Sequence, residues 1–189
     1  KIPVPDSSLC VTPEIATEMV KKSGFPAVIK LLSGFGGKGV MLVDSEEEFK
    51  PILETLRVFD EFISTQEFIK AGSVDYRALV IGNEAIGIKR TGVEGEWRAN
   101  VTKGGKAEFI ELDDDLKQTA LSAAELLGAD ICSVDFLISN EKRVLMEINF
   151  TPGMIQKFFG NKIAKKIIDF LYEKAKERQT EPEEKSEKK

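Results

Sequence analysis

Two groups of residues in this 189-residue chain have types and spacings that could do chemistry. The first lies in "SVDFLISNEKRVLMEINFTPG", residues 133–153. Alternating apolar residues mark two strands joined by a short polar turn. With Asn140-Glu141-Lys142 as a three-residue loop, Ser139 pairs with Arg143 and Asp135 falls opposite Glu147. Asn149, two residues on, shares the face of Glu147. Like charges facing each other in a sheet repel unless a cation lies between them. Two carboxylates and an amide oxygen are hard donors of the kind Mg2+ or Mn2+ takes. The alternative is that lysines or solvent neutralise Asp135 and Glu147. The second group is "SGFGGKG", residues 33–39, with Lys30 just before it. Glycine N–H groups in such a loop can cradle phosphate oxygens. Lys30 shares a strand face with Val28 and Leu32, where a cation is costly unless paired. It is either aimed at phosphates beneath the loop or snorkelling to water.

The glycine string alone fits several folds, and its flanks discriminate among them. A dinucleotide-binding fingerprint puts a helix after the glycines, whereas here the β-branched run "VMLV" follows. A P-loop requires a hydroxyl after its lysine, and Gly37-Lys38-Gly39 has none. What remains is a hairpin that folds over a nucleotide's phosphates. The chain has no histidine. That removes the usual general base, the His-dependent nucleophiles and the His-Arg-Asp loop of a protein kinase. Catalysis would fall to carboxylates, Lys, Arg, amides and bound metal. Net charge is −5, which does not recommend a nucleic-acid partner. Cys10 and Cys132 lie far apart, and a reduced cytoplasmic protein is the default. No apolar run approaches a membrane span, and no signal peptide is visible.

The elements that must position these residues read as follows. Residues 1–8 are Pro-rich and extended. A helix starts at the Thr12 cap with Pro13 at its first position and stops at Gly24. "FPAVIKLL" and "VMLV" are strands around the glycine loop. A second helix follows Ser45. "STQEFIK" is a strand ending in a turn at Gly72. "DYRALVIG" and "EAIGIKRT" form a hairpin about Gly82-Asn83. A polar loop carries Trp97, Arg98 and Asn100. "DDDLKQTALSAAELLG" is a helix with an acidic first turn, and "NKIAKKIIDFLYEKAKER" is an amphipathic one. Helices among hairpin-connected strands give an α+β class. The expected domains are a small lobe, 1–65, with the glycine-rich loop, and a larger lobe, 66–178, with the metal site. A charged, disordered tail covers 179–189.

Four stretches, "PAVIKLLSGFGGKGV", "QEFIKAGSVDYRALVIGNEAIGIKR", "WRANVTKGG" and "VDFLISNEKRVLMEINFTPG", resemble the RimK-like ATP-grasp carboxylate–amine ligases. The resemblance spans roughly residues 1–175. It implies an ATP-grasp fold, two α+β lobes clasping a nucleotide, with ATP and Mg2+ or Mn2+ as cofactors. Lys30 would contact phosphates, and the loop bearing Gly34, Gly36, Gly37 and Gly39 would close over them. Glu67, Phe68 and Ile69 would line the adenine pocket, and Asp75 would bind ribose hydroxyls. Arg90, Arg98 and Asn100 would face the phosphates and the acyl intermediate as catalytic groups. Asp135, Glu147 and Asn149 would bind metal. The implied reaction joins an amine, such as glutamate's, to a small-molecule or protein C-terminal carboxylate through an acylphosphate, releasing ADP and phosphate. No nucleic acid or membrane partner is implied, and a homo-oligomer is left open. Family members carry an N-terminal domain, and an ATP-contacting lysine, ahead of the segment where this chain starts. A nucleotide-binding module, or an ATP-grasp fragment without independent catalysis, is therefore the alternative.

Overall fold

The computed structural model describes residues 1–33, 37–59, 61–93, 95–97, 99, 104–152 and 161–180. Internal contacts divide the chain into two compact units. One holds Lys1–Tyr76, Lys89–Glu108 and Asp135–Glu147. The other holds Arg77–Ile88, Phe109–Val134 and Ile148–Lys189.

In the first unit, strand β1 (Ser7–Cys10) leads to helix α1 (Pro13–Ser23), then β2 (Ala27–Leu31), β3 (Val40–Val43), helix α2 (Glu46–Val58) and β4 (Ile63–Glu67). The sheet order is β1-β4-β2-β3, with β1–β4, β2–β3 and β2–β4 all antiparallel. Both helices begin as their sequences dictate. The Thr12 hydroxyl accepts from the Ile15 N–H at 3.3 Å, and the Ser45 hydroxyl from the Glu48 N–H at 3.3 Å. Gly24 ends α1 at φ 87°, a left-handed conformation that costs glycine little. Alternation then splits the sheet into two faces. Ala27, Ile29, Val43 and Ile63 pack with Ala16, Val20, Phe49 and Leu53 into a core under the two helices. The opposite face carries Val28 and Lys30 of β2. Register places Val40 and Ser64 beside Lys30, and Leu42 and Gln66 beside Val28. The pattern "AVIKL" thus buries one face wholly and leaves Lys30 half-buried on the other.

The second sheet has the order β7-β6-β5-β8-β9. Its strands are β5 (Val74–Ile81), β6 (Glu84–Thr91), β7 (Lys106–Ile110), β8 (Ile131–Ser139) and β9 (Lys142–Asn149). Helix α3 (Asp114–Leu126) is capped by Asp113, whose carboxylate accepts from the Leu116 N–H at 2.9 Å. Helix α4 spans Asn161–Thr180. Within the second unit, Phe170 of α4 covers the β5–β6 turn. A Cβ on Gly82 would stand 2.5 Å from Cε2 of that ring, and Gly82 adopts φ 57°. Lys166 reaches Glu84 at 2.5 Å, and Lys174 contacts Asp130. Leu79, Val80, Cys132 and Val134 are buried in this unit. Both cysteines are free and buried.

The structure corrects several expectations. Residues 7–10 form a strand rather than an extended lead-in, and Lys106–Ile110 form a strand where a polar loop was expected. Strand β4 stops at Glu67, short of the end of "STQEFIK". The loop between β8 and β9 has two residues, not three. Asn140 and Glu141 both take positive φ, 48° and 65°, as a type I′ turn requires. A two-residue turn shifts the cross-strand register by one position, so it does not set Asp135 directly opposite Glu147. Gln179 and Thr180 of the expected tail belong to α4, and residues 181–189 lie outside the described residues. No helix among the described residues is long and apolar enough to cross a membrane.

Candidate functional site

The β5–β6 hairpin turns through Gly82 and Asn83, between Ile81 and Glu84. Counting back from that turn, Asp75 and Arg90 are cross-strand neighbours. Their side chains meet as a two-point fork. Arg90 donates from Nε to Asp75 Oδ1 at 2.5 Å and from Nη2 to Asp75 Oδ2 at 2.7 Å. Nη2 also donates to Asp135 Oδ2 at 2.9 Å. Strand β5 lies between β6 and β8 in the sheet, so the guanidinium on β6 joins one carboxylate from β5 and one from β8. The side chains are largely buried, with exposures of 18% for Arg90, 16% for Asp75 and 6% for Asp135. Burial pulls the guanidinium's pKa down. The charge of Asp135 and the hydrogen bonds and charge of Asp75 outweigh it, and Arg90 is held above its ordinary value.

Lys30 supplies a second cation in the same unit. Burial lowers its pKa, and the charge of Glu147, an exposed residue on β9, works against that shift. Two cation–carboxylate groupings thus lie in one unit, Arg90 with Asp75 and Asp135, and Lys30 under the charge of Glu147.

The remaining expected site residues are placed as follows. Gly37 and Gly39 take positive φ, 79° and 74°, and the Gly39 carbonyl accepts from the Leu31 N–H at 2.8 Å. Gly34 and Gly36 lie outside the described residues, as do Arg98 and Asn100. Glu67 ends β4 and is exposed. Its N–H donates to the Asp6 carbonyl at 2.8 Å, and its Oε2 accepts from the Asp6 N–H at 3.3 Å. Phe68 and Ile69 follow, half-buried. Phe68 meets Trp97 edge to face, with ring centroids 6.0 Å apart at 75°. Gln66 donates to the Ser7 hydroxyl at 3.0 Å. Glu147 and Asn149 lie on β9 and Asp135 on β8. Among the described residues, no three His, Cys, Asp or Glu side chains gather as a metal site. The Asp75–Arg90–Asp135 cluster was not foreseen. The Gly82-Asn83 turn carried the signal for its first contact, since 75 and 90 are equally far from it.

These features place the chain in a known class. It belongs to the RimK-like ATP-grasp domain family, which matches residues 1–171. A probable alpha-L-glutamate ligase of Shewanella loihica is 37% identical over 180 residues, covering 93% of this chain and 60% of that protein. The chain therefore spans about three-fifths of the length of such relatives. A solved D-alanine–D-alanine ligase from Bacillus anthracis, complexed with ATP, superposes with a TM-score of 0.72 at 22% identity, covering 94% of this chain and 63% of that one. The ATP-grasp ligase PsnB, complexed with a precursor variant, Mg and ADP, gives 0.69 at 20% identity, covering 92% and 54%. Both likenesses establish the ATP-grasp fold.

Proposed function

We propose that this chain is the nucleotide-binding and phosphoryl-transfer part of an ATP-dependent carboxylate–amine ligase. A substrate carboxylate oxygen attacks the γ-phosphorus of ATP, the bond to the β–γ bridging oxygen breaks, and ADP leaves an acylphosphate. An amine nitrogen then attacks the acyl carbon, losing a proton and expelling phosphate, and an amide forms. Neither step needs a nucleophile from the protein, which agrees with a chain lacking histidine. The relative's name makes glutamate the first amine to test.

The observation that carries this reading is the largely buried cluster of Arg90, Asp75 and Asp135 in a chain of the ATP-grasp family. Lys30, half-buried on the face of the first sheet opposite the helices, is the cation for the transferred phosphate. Arg90, with Arg98 and Asn100, would steady the phosphates and the acyl intermediate, and Asp75 the ribose. Glu67, Phe68 and Ile69 are the adenine-lining segment, and glycines 34, 36, 37 and 39 the phosphate-covering loop. Asp135, Glu147 and Asn149 offer the oxygen donors that Mg2+, or Mn2+ in its place, would take. When bound, such an ion neutralises charge on the phosphates during transfer.

The test is release of ADP from Mg-ATP by the purified chain. It should require both a carboxylate acceptor and an amine, with glutamate tried first, and should vanish in Asp135→Asn. Saturable Mg-ATP binding without ADP release, across a panel of both substrates, would instead mark a nucleotide-binding module. The span of about three-fifths of its relatives favours keeping that second reading.

A further inference from the structure

The guanidinium of Arg90 occupies the place at Asp135 that a metal ion would need. Its hold is uneven. Arg90 grips Asp75 at two points, from Nε and Nη2, but reaches Asp135 from Nη2 alone, at 2.9 Å. Arg90 can release Asp135 and stay anchored to Asp75 through Nε. A dication brought to Asp135 with Arg90 still there would face an adjacent like charge in a half-desolvated setting. A nucleotide arriving with the ion changes that balance. Phosphate oxygens offer the guanidinium a geometry it accepts readily.

We propose that Arg90 is a resident stand-in for the divalent cation, neutralising Asp135 in the nucleotide-free protein and exchanging it for phosphate as metal and nucleotide load together. Asp75 is the positioning residue that keeps Arg90 at hand during the exchange. The inference rests on Asp135 being a metal ligand in the reading above, and it adds an order to loading. Free metal binds weakly, nucleotide strengthens it, and by linkage metal strengthens nucleotide to the same extent. Lys30 under the charge of Glu147 repeats the arrangement, a cation resident beside a carboxylate of the same set.

The experiment titrates Mn2+ against the whole chain, with and without ADP, reads free Mn2+ by electron paramagnetic resonance, and subtracts the Mn2+ that ADP holds in a protein-free blank. The native chain should bind Mn2+ alone poorly and far better with ADP. The double variant Asp75→Asn/Arg90→Gln removes one charge of each sign, so the local net charge is unchanged while Asp135 loses its resident cation. It should bind Mn2+ alone roughly tenfold more tightly than the native chain, within the usual range of coupling between sites. The enhancement by ADP should shrink accordingly. A folded double variant, checked by circular dichroism, that binds Mn2+ no more tightly than the native chain overturns the exchange. Should the variant not fold, the native chain decides alone, because Mn2+ bound as tightly without ADP as with it also overturns the proposal. A native chain that binds no Mn2+ even with ADP removes Asp135 as a metal ligand. The underlying reading of the site then fails, and the exchange with it.

Discussion

Gly82→Ala is expected to destabilise the second unit for two separable reasons. Gly82 sits at φ 57°, and an alanine held there costs about 1–2 kcal/mol. Its new Cβ would also stand 2.5 Å from Cε2 and 2.9 Å from Cδ2 of Phe170, closer than nonbonded carbons approach. Crowding of that kind costs roughly 1–3 kcal/mol, less where the ring can turn aside. Phe170 is half-buried with Lys174 Nζ 5.7 Å from its centroid, so its freedom to turn is restricted. The sum is about 2–5 kcal/mol. For a chain of this length it should lower Tm by roughly 4–20 °C, at about 2–4 °C per kcal/mol. Urea unfolding followed by far-ultraviolet circular dichroism measures it. Phe170→Ala supplies the fourth corner of a double-mutant cycle, in which the alanine at 82 should cost only its backbone term. A Gly82→Ala penalty below about 1 kcal/mol, or one that Phe170→Ala leaves undiminished, refutes the reasoning.

Two further outcomes are expected. Lys30→Met should abolish saturable Mg-ATP binding without lowering stability. Burial depresses the folded pKa of Lys30, so the native chain bears a cost below that value, relieved as pH rises through it towards the ordinary 10.5. The stability advantage of Lys30→Met should accordingly narrow on the alkaline side, and denaturant curves from neutral pH upward would expose an advantage that grows instead. Asp113→Ala removes the carboxylate that caps α3 and should cost about 1 kcal/mol, read as a lowered urea midpoint at unchanged slope.

Where the chain's local chemistry governs, the sequence was legible. Thr12, Ser45 and Gly24 mark helix ends because a short oxygen side chain or a bare Cα meets a need fixed within three residues. Gly82-Asn83 marks a hairpin for the same reason. The β8–β9 turn misled because Glu141 tolerates φ 65° poorly in isolation, and the twist of the paired strands overrides that preference. The strand at Lys106–Ile110 was missed because three of its five residues are polar or small. It forms by pairing at the end of a sheet rather than by burying a continuous apolar face. Half of the charged cluster could be read by counting from a turn. The other half, Asp135, lies 45 positions from Arg90, and it arrives through a sheet order that local patterns do not encode. Lys30 stood out as a polar residue in an apolar run, and the register shows why it is tolerated, beside Ser64 and under the influence of Glu147.

Residues 3–5 bear on what one edge of the second sheet offers to a passing strand. Strand β9 ends the order of the second sheet, and an outermost strand invites another chain to pair with it. Here the Leu145 N–H is taken by the Pro3 carbonyl at 2.9 Å, and two residues later Pro5 is buried. Proline has no N–H to give, so the covering segment satisfies the strand beneath it while offering few donors of its own. At Leu145 the border is closed by residues of the same chain, where a neighbouring strand would otherwise find a donor.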